Sequence, residues 1–230
     1  MDIVYNCRKG NNEELRYSIR SVESNLKYDN LWVVGGKPDW YNGKYIEDLP
    51  SYPSKLQREN HGLKMLCRNE EISEDFILMH DDIFIVQPLD SVQAWHYGSL
   101  QQRIEKYNSV STNSQHVKDL RLTWQSLREL GIDEPISYEL HVPFPMEKSK
   151  LAEALQYKGC PKTIYGNLFG VEGLEHEDVK VYTNTYMDYL SYDYKNNDAP
   201  YISTLDTSFP TVYNNLLKDL FPDPSRYEHP

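Results

Sequence analysis

Phe76-Ile77-Leu78-Met79-His80-Asp81-Asp82-Ile83-Phe84-Ile85-Val86 is an apolar run of strand-forming residues interrupted by two adjacent carboxylates. Short runs rich in Ile, Val and Phe read as buried strands. A charge inside such a run is costly unless it is paired or binds a cation. The run therefore predicts a strand that ends at Asp81 and Asp82, with both acids at the rim of a sheet. In open α/β sheets that rim is where ligands bind. Two carboxylates there suit a hard divalent cation, Mn²⁺ or Mg²⁺, which takes oxygen ligands and often bridges to a diphosphate. The competing reading is an acidic turn or helix cap. The immediate return of apolar residues at Ile83 favours the cation site.

Upstream of this run, residues 2–7 read as a first strand and Arg8-Lys9-Gly10-Asn11-Asn12 as a polar turn. Residues 13–26 read as a helix, because Leu15, Ile19, Val22 and Leu26 fall on one face of a 3.6-residue period. Asn11 or Asn12 caps it, and Glu13 and Glu14 favour its first turn. Residues 31–34 form a second strand, ended by Gly35-Gly36. Strand, helix, strand is the opening of a parallel α/β sheet. Residues 37–53 read as irregular and 55–69 as a helix. Downstream, 91–106 is ambiguous, 119–130 a helix stopped by Gly131, and 136–142 a strand broken by Pro143-Phe144-Pro145. Then come a helix over 147–157, a short strand over 179–183, a loop over 196–207 and a helix over 211–220. The expected fold class is α/β with a mostly parallel central sheet flanked by helices, in a single domain over 1–230.

The chain has 230 residues, a net charge of −11 and 19 Tyr against 6 Phe. The isoelectric point near 5.1 argues against strong nonspecific binding to duplex DNA or an anionic bilayer. Three cysteines without CxxC spacing indicate neither a disulfide framework nor a zinc site. They fit a reducing cytoplasm, as does an N-terminus without signal-peptide character. No apolar run is long enough to span a membrane.

Several further residues are candidates. Arg8, Lys9 and Asn11 surround Gly10 at the first strand-to-helix turn, where backbone amides favour an anion. There Arg8 can fork onto a phosphate; the alternative is an ordinary exposed basic turn. Within the first helix Glu14, Arg16 and Arg20 stand out, and Arg16 and Arg20, four apart, share a face; the favoured reading is a solvated face with ion pairs. Lys55, Arg58, Asn60, His61, Lys64 and Arg68 form the densest basic cluster. It reads either as a solvated helix face or as the positive side of a nucleotide-sugar diphosphate site. His80 adjoins the acidic pair. His141 ends an apolar segment just before prolines that fix the backbone. It is a metal-ligand or acid/base candidate, or else a core-edge histidine. Asp206, Asn167 and Glu172 are isolated polar residues in loops, each read first as structural. No GxGxxG, P-loop, GxSxG or HExxH motif occurs.

Taken together, Asp2-Ile3-Val4-Tyr5 and Asn12-Glu13-Glu14-Leu15-Arg16-Tyr17-Ser18-Ile19-Arg20-Ser21-Val22 resemble the stealth family of sugar-phosphate transferases. Residues 31–40, the strand leading to His80-Asp81-Asp82, and His141-Val142-Pro143 are similar to later elements of that family. The strand with its acidic pair also resembles the DxD element of GT-A nucleotide-sugar glycosyltransferases, with Asp82 as the metal-binding acid. Compact phage-encoded glycosyltransferases have a C-terminal segment similar to Phe221-Pro222-Asp223-Pro224-Ser225-Arg226.

The resemblance implies a GT-A-like, Rossmann-related fold and a cytoplasmic, metal-dependent glycosyltransferase (host cytoplasm, for a phage protein). Residues 1–90 would be its nucleotide-sugar half and 91–230 its acceptor half. Arg8, Asn11, Arg16, Lys55, Arg58, His80 and Asp81 would bind the donor. Asp82, Asp81 and His141 would hold Mn²⁺ or Mg²⁺. Asp206 or His141 would act in catalysis. The acceptor would be a carbohydrate, or a modified DNA base if the source is a phage. The family's Trp-Val-Asp-Gly element reads Cys7-Arg8-Lys9-Gly10 here and lacks the acid. That places glycosyl transfer ahead of hexose-1-phosphate transfer. A non-catalytic sugar- or protein-binding module of the same fold is the third reading.

Overall fold

A computed structural model of the protein describes residues 1–47, 52–110, 114–181 and 199–229. Strands β1 (Asp2–Cys7), β2 (Leu31–Gly35), β3 (Lys44–Glu47), β4 (Asp75–Met79) and β7 (Phe144–Glu147) form one sheet in the order β3-β2-β1-β4-β7. The first four are parallel and β7 runs antiparallel to β4. Alternation decides the layering. Ile3, Tyr5, Leu31, Val33, Ile77 and Met79 face helix α1 (Glu13–Asn25). Val4, Trp32, Val34, Phe76 and Leu78 face the other way, toward α2 (Lys55–Arg68) and, further along the same face, α4 (Gln115–Glu129), α5 (Lys148–Ala154) and α6 (Pro161–Leu168). Between β6 (Trp95–His96) and α4 lies α3 (Leu100–Val110).

Three elements differ from expectation. Residues 37–53 contain β3, and the parallel β2–β3 connection has no helix among the described residues. Buried Trp40 and Tyr41 fill that space instead, with the Tyr41 hydroxyl donating to the Lys44 carbonyl at 3.1 Å. The strand expected over 136–142 is replaced by irregular chain, because side chains take its backbone hydrogens. The Ile136 N–H donates to Asn167 Oδ1 (2.8 Å), and the Tyr138 N–H to Thr163 Oγ1 (3.0 Å). The strand is Phe144–Glu147, prolines notwithstanding. It is an edge strand, where a missing N–H is tolerated, and Pro145 sits opposite Ile77.

The third difference positions the site. The expected loop over 196–207 contains β9 (Tyr201–Ser203), which pairs antiparallel with β5 (Ile83–Ile85), the strand directly after the acidic pair. Phe84, Ile202, Val181, Leu217 and Phe221 seal this ribbon against α1. A C-terminal helix, α7 (Phe209–Val212), continues through a π turn at Tyr213–Leu217 to Lys218–Leu220. Of the remaining short strands, β8 (Leu174–Glu175) pairs with β6. Among the described residues no helix is long and apolar enough to cross a membrane.

Candidate active site

β1, β4 and the first turn of α1 meet at the C-terminal edge of the parallel sheet. Asn12, the N-cap of α1, is the one non-glycine residue with positive φ among the described residues (φ 49°). Asparagine tolerates that left-handed conformation. Its Oδ1 accepts from the Leu15 N–H (3.1 Å), and its Nδ2 donates to Asp81 Oδ2 (2.7 Å). One side chain thus caps the helix and fixes the first carboxylate.

Arg8 leaves the end of β1 and joins three acids. Its guanidinium donates to both oxygens of Asp206 (3.0 and 2.5 Å) and to Glu14 Oε2 (3.3 Å), and its Nε lies 3.9 Å from Asp81. Arg8, Asn12, Glu13, Glu14, Asp206 and Phe209 line an open cavity of about 200 Å³. Glu14 is buried, and its Oε1 accepts from the Thr204 hydroxyl at 2.9 Å. Burial, with Asp81, Asp82 and Asp206 nearby, pushes its carboxyl up to about 7 despite that bond.

The two adjacent aspartates are shifted in opposite directions. Burial and the neighbouring Asp82 raise Asp81, against Asn12 and Arg8. Burial also acts to raise Asp82, but Lys180, His141 and His80 outweigh it and hold Asp82 at about 2. Lys180 Nζ lies 2.6 Å from Asp82 Oδ2.

On the other side of the pair, burial and the nearby Lys162 push His80 down to about 3, so it is neutral at pH 7. It lies 3.8 Å from Glu59, whose carboxyl burial raises to about 7. That contact joins a neutral imidazole to a carboxyl that burial disposes to keep its proton, rather than forming a full ion pair. Lys55 and Arg58 are exposed on the first turn of α2, where their charges act on Glu59. His141 Nδ1 lies 2.9 Å from Asp178 Oδ2, and Arg103 Nη2 donates to the same oxygen at 2.9 Å. Against burial, His141 and Arg103 hold Asp178 well below the usual carboxylate range. The pair fixes the imidazole through Nδ1, and among the described residues Nε2 has no hydrogen-bond partner.

Of the residues singled out from sequence, Arg8, Asp81, Asp82 and Asp206 are brought together, with His80 and His141 beside them. Three are directed elsewhere. The Asn11 side chain donates to Glu13 (3.1 Å). Arg16 stacks 4.9 Å over Trp40 and pairs with Glu13 and Glu228. Arg20 clamps the tail through two 2.7 Å bonds to Glu228. Sequence reading noted Glu14 only as part of a solvated helix face, and missed Asn12, Asp178 and Lys180 as site residues. For the last two a signal existed: Asp178 and Lys180 flank buried Val179 with the period of an extended segment.

A divalent cation held by protein side chains alone needs several convergent donors. Among the described residues no three His, Cys, Asp or Glu side chains converge on one point. Asp82 is engaged by Lys180 and His141 Nδ1 by Asp178. As arranged, these residues do not fit a divalent cation.

The chain aligns over its whole length with galactosyltransferase LgtC, solved in complex with donor and acceptor sugar analogs. The alignment covers 98% of each chain with 12% identity and a TM-score of 0.53. The fold is a GT-A glycosyltransferase fold. Mouse xyloside xylosyltransferase 1 aligns more loosely, with 10% identity over 99% of this chain and 96% of that one and a TM-score of 0.36. In sequence, the capsular polysaccharide phosphotransferase LcbA of Neisseria meningitidis is 25% identical over an aligned stretch of 172 residues, taking in 65% of this chain. The chain spans about half the length of that relative (46%). No protein-family model matches.

Proposed function

We propose that this protein is a glycosyltransferase that moves a sugar from a nucleotide-activated donor to a carbohydrate acceptor. The observation that carries this reading is the convergence of Arg8, Asn12, Asp81, Asp82 and Lys180 at the C-terminal edge of a GT-A sheet. That edge binds nucleotides in open α/β sheets. Fixed cations there suit a diphosphate, and carboxylates that hold the cations keep them aligned. In this reading residues 1–90 supply the nucleotide side, with Arg8 on the phosphates and Lys55 and Arg58 at the entrance. Residues 91–230 supply His141, Asp206 and the acceptor side.

In the transfer, the bond from the anomeric carbon to the diphosphate oxygen breaks and its electron pair stays on the departing diphosphate. The acceptor hydroxyl oxygen bonds to that carbon and gives up its proton. His141 suits the proton's receipt, because Asp178 holds Nδ1 and leaves Nε2 open. Asp206 is the weaker base, since its bond to Arg8 lowers its carboxyl. Its role is to orient Arg8, together with Glu14. The Mn²⁺ or Mg²⁺ expected from sequence has no step here, because Asp82 is already engaged.

The likeness to a capsular polysaccharide phosphotransferase supports a second reading on the same site, transfer of a hexose 1-phosphate. There the phosphorus–oxygen bond between the two phosphates breaks and a nucleoside monophosphate leaves. A modified DNA base as acceptor has no feature of the structure in its favour.

The test is a panel of nucleotide sugars incubated with the protein, with the released nucleotide identified by chromatography. Nucleoside diphosphate, lost in Asp82→Asn and reduced in His141→Ala, is the expected product. Monophosphate would move the assignment to sugar-phosphate transfer. No turnover and no thermal shift with any donor would overturn both and leave a binding module.

A further inference from the structure

Asp82, the residue expected to ligate a metal, has an ammonium group on its carboxylate. Lys180 Nζ sits 2.6 Å from Asp82 Oδ2, and the lysine side chain is only 8% exposed. Both partners are locked to one ribbon. The Thr204 N–H donates to the Asp82 carbonyl (3.0 Å), and Lys180 bridges Ser203 in parallel. The Val181 N–H donates to the Ser203 carbonyl (2.8 Å), and the Ser203 N–H to the Val179 carbonyl (3.3 Å). These bonds fix the backbone from which the Lys180 side chain reaches Asp82. A divalent cation on the same carboxylate would sit close to this ammonium, and like charges repel. Asp81, the other carboxylate, is bonded to Asn12 and faces Arg8.

We propose that Lys180 is the built-in cation of this site: its ammonium takes the place of a divalent metal on Asp82 and neutralises the donor's diphosphate directly. The inference rests on the donor site proposed above. An ammonium has three donors. One serves Asp82, and the others face the departing phosphate oxygens as a point charge. Arg8, fixed by Glu14 and Asp206, supplies the second positive charge. Whichever bond to the diphosphate breaks, the electron pair left on phosphate oxygen meets these two cations.

The test pairs a metal titration with a turnover assay. Mn²⁺ alone is titrated into wild type, Lys180→Met and Lys180→Met/Asp82→Asn, and free Mn²⁺ is read by electron paramagnetic resonance. Wild type is expected to leave Mn²⁺ free. Lys180→Met should gain binding by releasing Asp82, and the double variant should lose that gain. Donor turnover by wild type should be unchanged by EDTA, fall ~10²-fold in Lys180→Met, and survive in part in Lys180→Arg. Stoichiometric Mn²⁺ binding by wild type, or turnover abolished by EDTA, would overturn the proposal. If no donor turns over in any buffer, the donor-site reading fails. The Mn²⁺ titration still decides whether Lys180 holds the metal position.

Discussion

The central sheet carries aspartates at both ends, Asp2 at one and the Asp81-Asp82 pair at the other, and the two ends are built differently. At the N-terminal end of β1, fully buried Asp2 accepts from Asn30 Nδ2 (2.9 Å), Trp32 Nε1 (3.2 Å), the Asn30 N–H (3.2 Å) and the Ser73 N–H (3.0 Å). Every partner is a neutral donor, and the set stitches β1 to β2 and to the segment entering β4. These bonds outweigh burial and lower the carboxyl. At the C-terminal end, Asn12 donates to Asp81 (2.7 Å) with the Arg8 guanidinium beyond it, Lys180 holds Asp82, and both carboxylates remain partly accessible. A closed set of neutral donors stabilises the fold. Cations facing carboxylates at an open edge keep hydrogen-bonding capacity for a ligand. Buried acid alone does not mark a site; its partners do.

The comparison breaks most visibly under conservative substitution. Asp82→Asn is expected to lower donor turnover per folded molecule ~10²–10³-fold, and to lower the urea midpoint as well, because the buried Lys180 ammonium loses its carboxylate. The arginines divide in the same way. Arg20 is buried and tied to Glu228 and the Phe221 carbonyl (3.1 Å), so Arg20→Ala should cost about 3 kcal/mol in urea unfolding. Arg8, about half exposed, should cost less than ~1 kcal/mol on truncation yet abolish donor binding by calorimetry. Asp2→Asn should affect stability alone. It leaves donated hydrogens without an acceptor and should lose ~1–3 kcal/mol of stability, with turnover per folded molecule retained.

The smallest effect sharpens the comparison through pH. Asp2 has a lowered carboxyl, so its stabilisation is present above the ordinary value of 3.8 and is lost as pH falls through its folded value. Glu14, raised from 4.5 to about 7, has the opposite sign. The folded state keeps its proton, so its contribution is full below pH 4.5 and declines as pH rises toward 7. Urea midpoints measured from pH 4 to 8 should show wild type losing stability relative to Glu14→Gln across that window. A gap that stays flat would mean that Glu14 is not buried as described.

The acidic rim was legible because Asp81 and Asp82 break a run that otherwise demands burial. The β1-α1-β2 opening was legible from the helical spacing of Leu15, Ile19 and Val22 and from the glycines after β2. What was not legible depends on distant pairing. β9 has three residues, too few to outweigh a polar context, and becomes a strand only because β5 lies opposite. Pro145 hid β7, since an edge position cannot be read from local sequence. Arg8 and Asp206 meet across 198 residues, and Lys180 reaches Asp82 across 98. Asn12 rather than Asn11 proved to be the residue that ties helix to carboxylate, a choice made by one backbone angle.

The central claim is that the C-terminal edge of the sheet is the donor site and the Asp2 end is scaffold. Backbone amide shifts of the isotope-labelled protein on titration with uridine and guanosine diphosphates test it most directly. The account predicts perturbations at Arg8, Asn12, Asp81, Asp82 and Lys180, with Asn30, Trp32 and Ser73 unmoved. Perturbations centred on Asn30 and Ser73, or none with any nucleoside diphosphate, would contradict it.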